Sequence, residues 1–256
     1  MGVDEKKKAE ARKQIKLASF YHKMYSNPVP FNPKPVYGIS TTNDEYLCAM
    51  SPDNETSYFT RRYSKQKVGM LRPETVEEFT FSKLENGQFQ KGVEMPYPFN
   101  MRKNEGGPTL SVDNRELYLT ICSNLKGYNN CDIYYTYKKY DYWSDLEKLK
   151  FPINKPDCWE SQPTISSDGN TLIFSSIRPE GLGGSDLYSV SKDSDGNWGE
   201  IVLLSVNTKG NEKSPFLHPD SETLYFSSDT HLGLGGLDIF YCKKDSTGKW
   251  SNPINI

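Results

Sequence analysis

A chain of 256 residues can bury a substantial core, either as one all-β domain or as two smaller domains. Its net charge of −2 excludes a global attraction to nucleic acid or to an anionic membrane, and no apolar run approaches the length of a bilayer span. Aromatic residues at 13%, with 19 Gly and 16 Pro, favour many short strands joined by tight turns.

Residues 1–25 hold seven Lys/Arg and three Asp/Glu, a local balance of +4 that leaves −6 for the remainder. The start, MGVDEKKKAEARKQ, is no secretory signal, since its basic stretch is followed by no apolar core; the expectation is a cytoplasmic chain or a piece whose address lies upstream. VDEKKKAEARKQIKLASFYHKMY reads as a helix, with Ala11, Ile15, Ala18, His22 and Tyr25 on one face and Asn27-Pro28 as its end. Residues 28–43 read as a linker, within which Val29 to Ser40 is expected to form a closing strand.

Four windows then align without a gap: DEYLCAMSPDNETSYFTRR from Asp44, NEGGPTLSVDNRELYLTIC from Asn104, WESQPTISSDGNTLIFSSI from Trp159 and NEKSPFLHPDSETLYFSSD from Asn211. In each, a glutamate (Glu45, Glu105, Glu160, Glu212) precedes an aspartate by eight residues (Asp53, Asp113, Asp168, Asp220). Six residues later comes a large apolar residue, Phe59, Leu119, Phe174 or Phe226, followed by Thr or Ser. The glutamates recur after 60, 55 and 52 residues. Each unit reads as four antiparallel strands. Pro108, Pro163 and Pro215 suit a strand position that needs no ladder N–H, and the aspartates open turns. The glycine-rich runs EGLGGSD and HLGLGGLD lead into strands at Asp186 and Asp238, not into a helix, so they reverse the chain and do not cradle a phosphate.

Four-stranded units of this length repeated in series define a β-propeller. The expected fold is therefore all-β: four blades, at about 44–100, 101–156, 157–209 and 210–256, plus the N-terminal closing strand of a five-bladed ring, preceded by one α-helix. A four-bladed ring is the alternative. Phe59, Leu119, Phe174 and Phe226 should be equivalent and buried. Cys48, Cys122, Cys131, Cys158 and Cys242 form no CxxC and no cluster with histidines, so neither a metal site nor a cofactor is expected. Cys122 and Cys131 flank one hairpin loop, as a disulfide in an oxidising compartment or as two free thiols.

With its SPDG-like turns, its aromatic strand ending in Ser-Ser and an aspartate opening the next strand, the unit from Asp44 to Ile256 resembles the WD-like repeat of TolB-type propellers. NEKSPFLHPDSETLYFSSDTHLGLGGLDIFYCKK is similar to the version in OmpA-family outer-membrane-associated proteins. That resemblance implies a tetratricopeptide-like region ending at residues 1–27, a periplasmic, outer-membrane-associated location and protein partners of the bacterial envelope. By the same resemblance these partners include a type IX secretion or gliding apparatus, and peptidoglycan is held only through a domain this chain does not contain. Neither nucleic acid nor direct membrane insertion is implied.

Glu45, Glu105, Glu160 and Glu212 are expected to ring the channel mouth, where they can hold a cation or a basic peptide tail, or else to lock blades together. Arg61, Arg62, Arg72, Lys126, Arg178 and His231 fall on the variable loops of the same face and make a basic rim, available for binding or merely solvated. SSDGNTLIF also resembles the Asp box of sialidases, so a glycan-binding or glycan-cleaving propeller is the alternative. Its chemistry needs a carboxylate pair that does not repeat with every blade, and the expectation is a non-enzyme.

Overall fold

The computed structural model describes residues 4–30, 32–66, 69, 71–101, 104–125 and 128–256. Helix α1 (Glu5–Ser26) starts at Asp4, whose carboxylate accepts the Lys6 N–H, and ends at Asn27. No residue of α1 is buried, so its expected face of Ala11, Ile15, Ala18, His22 and Tyr25 is exposed along its length.

The described residues from Asp44 onward form four antiparallel units. The first comprises β1 (Asp44–Met50), β2 (Thr56–Lys65), β3 (Glu74–Glu85) and a fourth strand in two pieces, β4 (Gln88–Phe89) and β5 (Val93–Glu94). The second repeats this with β6 (Asn104–Leu110), β7 (Glu116–Leu125), β8 (Tyr128–Lys139), β9 (Tyr142–Trp143) and β10 (Glu147–Lys148). The third is β11 (Trp159–Ile165), β12 (Thr171–Ile177), β13 (Asp186–Lys192) and β14 (Trp198–Leu203). The fourth is β15 (Glu212–Leu217), β16 (Thr223–Ser228), β17 (Asp238–Lys243) and β18 (Ile254–Asn255). A first strand packs on the preceding blade each time, β6 on β1 to β3, β11 on β6 to β8 and β15 on β11 to β13, which is the arrangement of propeller blades around an axis.

The core lies between blades. Tyr58 and Phe79 of blade one meet Leu117, Leu119 and Tyr134 of blade two. Tyr118 and Ile133 meet Leu172, Phe174 and Tyr188, and Ile173 and Leu187 meet Leu224, Phe226 and Phe240. Phe59, Leu119, Phe174 and Phe226 are all buried, as their alignment requires.

Two features depart from the sequence reading. Every first strand carries a bulge, with Leu47, Gly107, Gln162 and Ser214 at positive φ. Pro108, Pro163 and Pro215 each directly follow the bulged residue, where the ladder is interrupted and no N–H is lost. Among the described residues between Val29 and Ser40 the expected closing strand does not form. Pro28, Pro30, Pro33 and Pro35 remove ladder donors there, and the chain instead makes a turn at Val36–Ile39, touching blade one through the Gly92 N–H on the Gly38 carbonyl at 3.0 Å.

Candidate functional site: the crossover face

The outer strands of blades one to three return to the next blade's inner strand across one face of the propeller, by the crossovers at 95–101, 149–158 and 204–211, and the segment 36–43 leads into blade one's inner strand in the equivalent place. The second-to-third-strand loops open on the same face, because the start of each first strand pairs with the end of each second: Glu45 opposite Arg61, Glu160 opposite Ser176, Glu212 opposite Ser228.

The four glutamates sit at this level, and they face into the crossovers. Glu45 accepts Thr41 N at 3.0 Å and Thr41 Oγ1 at 2.6 Å. Glu212 accepts Thr208 N at 2.9 Å, Thr208 Oγ1 at 2.7 Å and Ser228 Oγ at 2.8 Å. Glu105 accepts Asn100 N at 2.7 Å, and Glu160 accepts Ser176 Oγ and Arg178 Nη2, both at 3.1 Å. Glu105, Glu160 and Glu212 are buried, and the Glu45 side chain is nearly so. Glu45, Glu105 and Glu212 are tolerated there because the crossing chain donates to them, whereas Glu160 is held by Ser176 and Arg178 through Oε1 and its buried Oε2 is left without a hydrogen-bond partner among the described residues. Burial still pushes the Glu160 carboxyl up to about 7, against the pull of Arg178 and Ser176.

Arg61, Arg178 and His231 turn inward as well. Arg61 Nε lies 2.9 Å from Glu45, its Nη2 donates to the Ile39 carbonyl at 3.1 Å, and its guanidinium stands 5.2 Å from the Phe59 ring centroid. Arg178 donates to the Pro152 and Ile153 carbonyls and lies over the Phe174 and Tyr188 rings. His231 Nε2 donates to the Val206 carbonyl at 2.8 Å and packs on Phe226 and Phe240. Three different sequence positions thus do one job: a cation or N–H bridges a crossover carbonyl to the aromatic layer beneath. Of the expected basic rim, Arg62 is exposed beside Asp44 at 3.6 Å and Arg72 is exposed, while Lys126 lies outside the described residues.

The glycine-rich loops follow the same inward logic. Asp186 Oδ2 accepts the Leu182 and Gly183 N–H groups, and Asp238 accepts those of Leu234 and Gly235. A Cβ on Gly181 or Gly233 would lie 2.3 or 2.2 Å from these carboxylates, so glycine is what lets the loop wrap its own aspartate.

Sequence reasoning missed three asparagines. Asn154 Oδ1 accepts Ile133 N at 2.8 Å while its Nδ2 donates to Ile133 O at 2.8 Å and Leu149 O at 2.7 Å. Asn100 makes the same three bonds to Phe79 and Met95, and Asn207 to Leu187 and Leu204. The side-chain amide imitates a peptide unit and extends the sheet where the backbone has turned away. The signal was present as PFN, PIN and SVN. Cys122 and Cys131, opposite each other in the β7–β8 hairpin, form a disulfide, and Cys158 and Cys242 are buried free thiols. No group of three or more His, Cys, Asp or Glu side chains converges on a metal position among the described residues.

No protein-family model matches the chain, and no curated protein does. Solved structures match its fold. An endo-arabinase from Bacteroides thetaiotaomicron is 15% identical with a TM-score of 0.52, covering 88% of this chain and 84% of that one. TolB from Acinetobacter baumannii is 15% identical with a TM-score of 0.49, covering 84% of this chain, which in turn spans 44% of TolB's length. A glycosyl hydrolase from Bacteroides ovatus is 9% identical with a TM-score of 0.49, covering 83% of this chain and 70% of that one. Together with the blade geometry, the endo-arabinase match identifies an all-β, propeller-type fold; at these identities it carries the fold alone.

Proposed function

We propose that this chain is a non-catalytic, protein-binding scaffold module of a periplasmic, outer-membrane-associated complex. The observation that carries this reading is the use of the repeated charges: Glu45, Glu160, Glu212, Arg61 and Arg178 are bonded to crossovers and to one another, building a stiff frame beneath loops that differ from blade to blade. The Cys122–Cys131 disulfide supports an oxidising compartment such as the periplasm. The exposed outer side of blade four, with Phe216 and Ile239, fits a further blade packed there, as a ring of five requires. By resemblance, the assembly is a type IX secretion or gliding apparatus, the helix belongs to a tetratricopeptide-like region, and an OmpA-like domain outside this chain supplies the peptidoglycan anchor.

The test is affinity capture of envelope proteins by the tagged chain after mild cross-linking, alongside a glycan-hydrolysis panel and a non-reducing peptide map. The reading expects reproducible envelope partners, a Cys122–Cys131 cross-linked peptide and no glycan turnover. Turnover that disappears in Glu105→Gln or Glu160→Gln protein would replace it with the glycan-cleaving alternative.

A further inference from the structure

Two crossovers and the segment entering blade one each close a four-residue turn with the same backbone bond. The N–H of Ile39 bonds to Val36 O at 3.2 Å, that of Phe99 to Pro96 O at 3.0 Å and that of Ile153 to Lys150 O at 3.1 Å. The last residue of each turn, Ile39, Phe99 or Ile153, is buried in or beside a blade interface. The second residue is an aromatic that points the other way: Tyr37 is 77% exposed, Tyr97 69% and Phe151 74%. Gly38 at positive φ and the cis bonds preceding Pro98 and Pro152 follow these rings, so different backbones reach one presentation.

The buried residue of each turn is explained by the fold, and the exposed ring is not. Leaving a large aromatic side chain in water forgoes on the order of 2 kcal/mol of burial. Tyr97 recovers one hydrogen bond, to Asp145 Oδ1 at 2.6 Å; Phe151 has no polar atom with which to do so. The shorter crossover of blade three, Leu204-Ser205-Val206-Asn207, carries no such ring, so the repeat does not require one.

The same face presents Leu182 and Leu234 at the tips of the two glycine-rich loops, both exposed. Exposed apolar side chains gathered on one face mark an interaction surface, and aromatic rings are the side chains that most often anchor a protein partner. Lys150 and Lys209 lie on two of the crossovers and Lys34 stands two residues before the segment that enters blade one, all three exposed and without an ion pair among the described residues. Such cations attract a partner of opposite sign.

We propose that the crossover face docks an acidic, apolar segment of a partner protein, with Tyr37, Tyr97 and Phe151 receiving its apolar side chains and Lys34, Lys150 and Lys209 its carboxylates. The inference rests on the scaffold reading above and chooses the face and the chemistry. The opposite face also exposes Tyr140 and Tyr142, but on the single hairpin of blade two, which makes them the control.

The test is selection of a random dodecapeptide phage library on the folded chain, followed by fluorescence anisotropy with synthetic copies of the enriched peptides. Enriched peptides should combine Leu or Phe with Asp or Glu, and should bind more weakly as salt rises. Tyr37→Ser/Tyr97→Ser/Phe151→Ser and Lys34→Glu/Lys150→Glu/Lys209→Glu proteins should each bind them roughly tenfold or more weakly. Tyr140→Ser/Tyr142→Ser protein should bind as the parent does. All substituted side chains are exposed, and an unchanged thermal midpoint confirms that each variant is folded. Peptides that are basic, or that lose affinity only in the Tyr140/Tyr142 variant, overturn the inference while leaving a protein-binding scaffold. Failure to enrich any peptide, with binding on a glycan array instead, overturns both.

Discussion

At the scale of single residues, the asparagines in the crossovers and the first-strand glutamates that face them do more for the fold than their number implies. Asn154 is buried and satisfies both backbone groups of Ile133 and the carbonyl of Leu149. Asn154→Ala leaves those groups unpaired away from water, at a cost of about 2–3 kcal/mol. Urea denaturation should register that loss, and a change within a few tenths would mean that water replaces the amide. Glu160 predicts a pH dependence. Its folded-state pKa of about 7 lies above the ordinary glutamate value of 4.5, so its contribution to stability is complete below about pH 4.5 and is lost as pH rises through 7. The thermal midpoint should fall between about pH 5 and pH 8, and less steeply in Glu160→Gln protein; parallel curves would mean that Arg178 keeps the carboxylate ionised throughout. The turn aspartates act in the opposite window. The Ser51, Ser111 and Ser166 hydroxyls hold Asp53, Asp113 and Asp168 below the usual carboxylate range, so their contribution is present above about pH 4 and lost on further acidification.

At the scale of elements, blade-to-blade contact is set by the bulged first strand. The Gly107 N–H reaches Thr60 Oγ1 at 3.2 Å and the Gln162 N–H reaches Thr120 Oγ1 at 2.9 Å, so the hydroxyl after the buried Phe59 or Leu119 catches the bulge of the following blade. That approach leaves no space at Gly106, where a Cβ would lie 1.8 Å from Thr60 Oγ1. Gly106→Ala should therefore force β6 away from β2 and destabilise by about 2 kcal/mol or more, with Thr60→Ala restoring part of the loss. Additive losses in the double variant, measured in the same denaturation experiment, would show that the two sites do not meet.

At the scale of the whole molecule, each blade is completed by its successor. Phe79, Ile133 and Leu187 occupy equivalent third-strand positions and are buried against the following elements, whereas Ile239, their counterpart in blade four, is exposed along with Phe216. Stability in a stacked array is a sum over neighbour interfaces, so β17 and β18 should open more readily than β12 and β13. Hydrogen exchange should show lower protection for Phe240 and Tyr241 than for Phe174 and Tyr188. Uniform protection across all four blades would mean that another surface covers blade four in solution.

The aligned glutamates, aspartates and central apolar residues determined the blade repeat without coordinates, because a pattern with a period of fifty to sixty residues can be satisfied only by stacked, equivalent units. The same alignment carried the burial of Phe174 and Phe226 and the use of Asp186 and Asp238 at strand starts. Whether a repeated charge faces the channel or the crossover was not legible, since both directions give the same spacing. The answer depends on where the preceding blade's returning chain passes, and it turned Glu45, Glu212, Arg61 and Arg178 into internal fastenings. The exposed rings at Tyr37, Tyr97 and Phe151 escaped notice for the complementary reason. They lie outside the aligned windows, 60 and 54 residues apart, and only the tertiary structure brings their turns onto one face and leaves the rings in solvent.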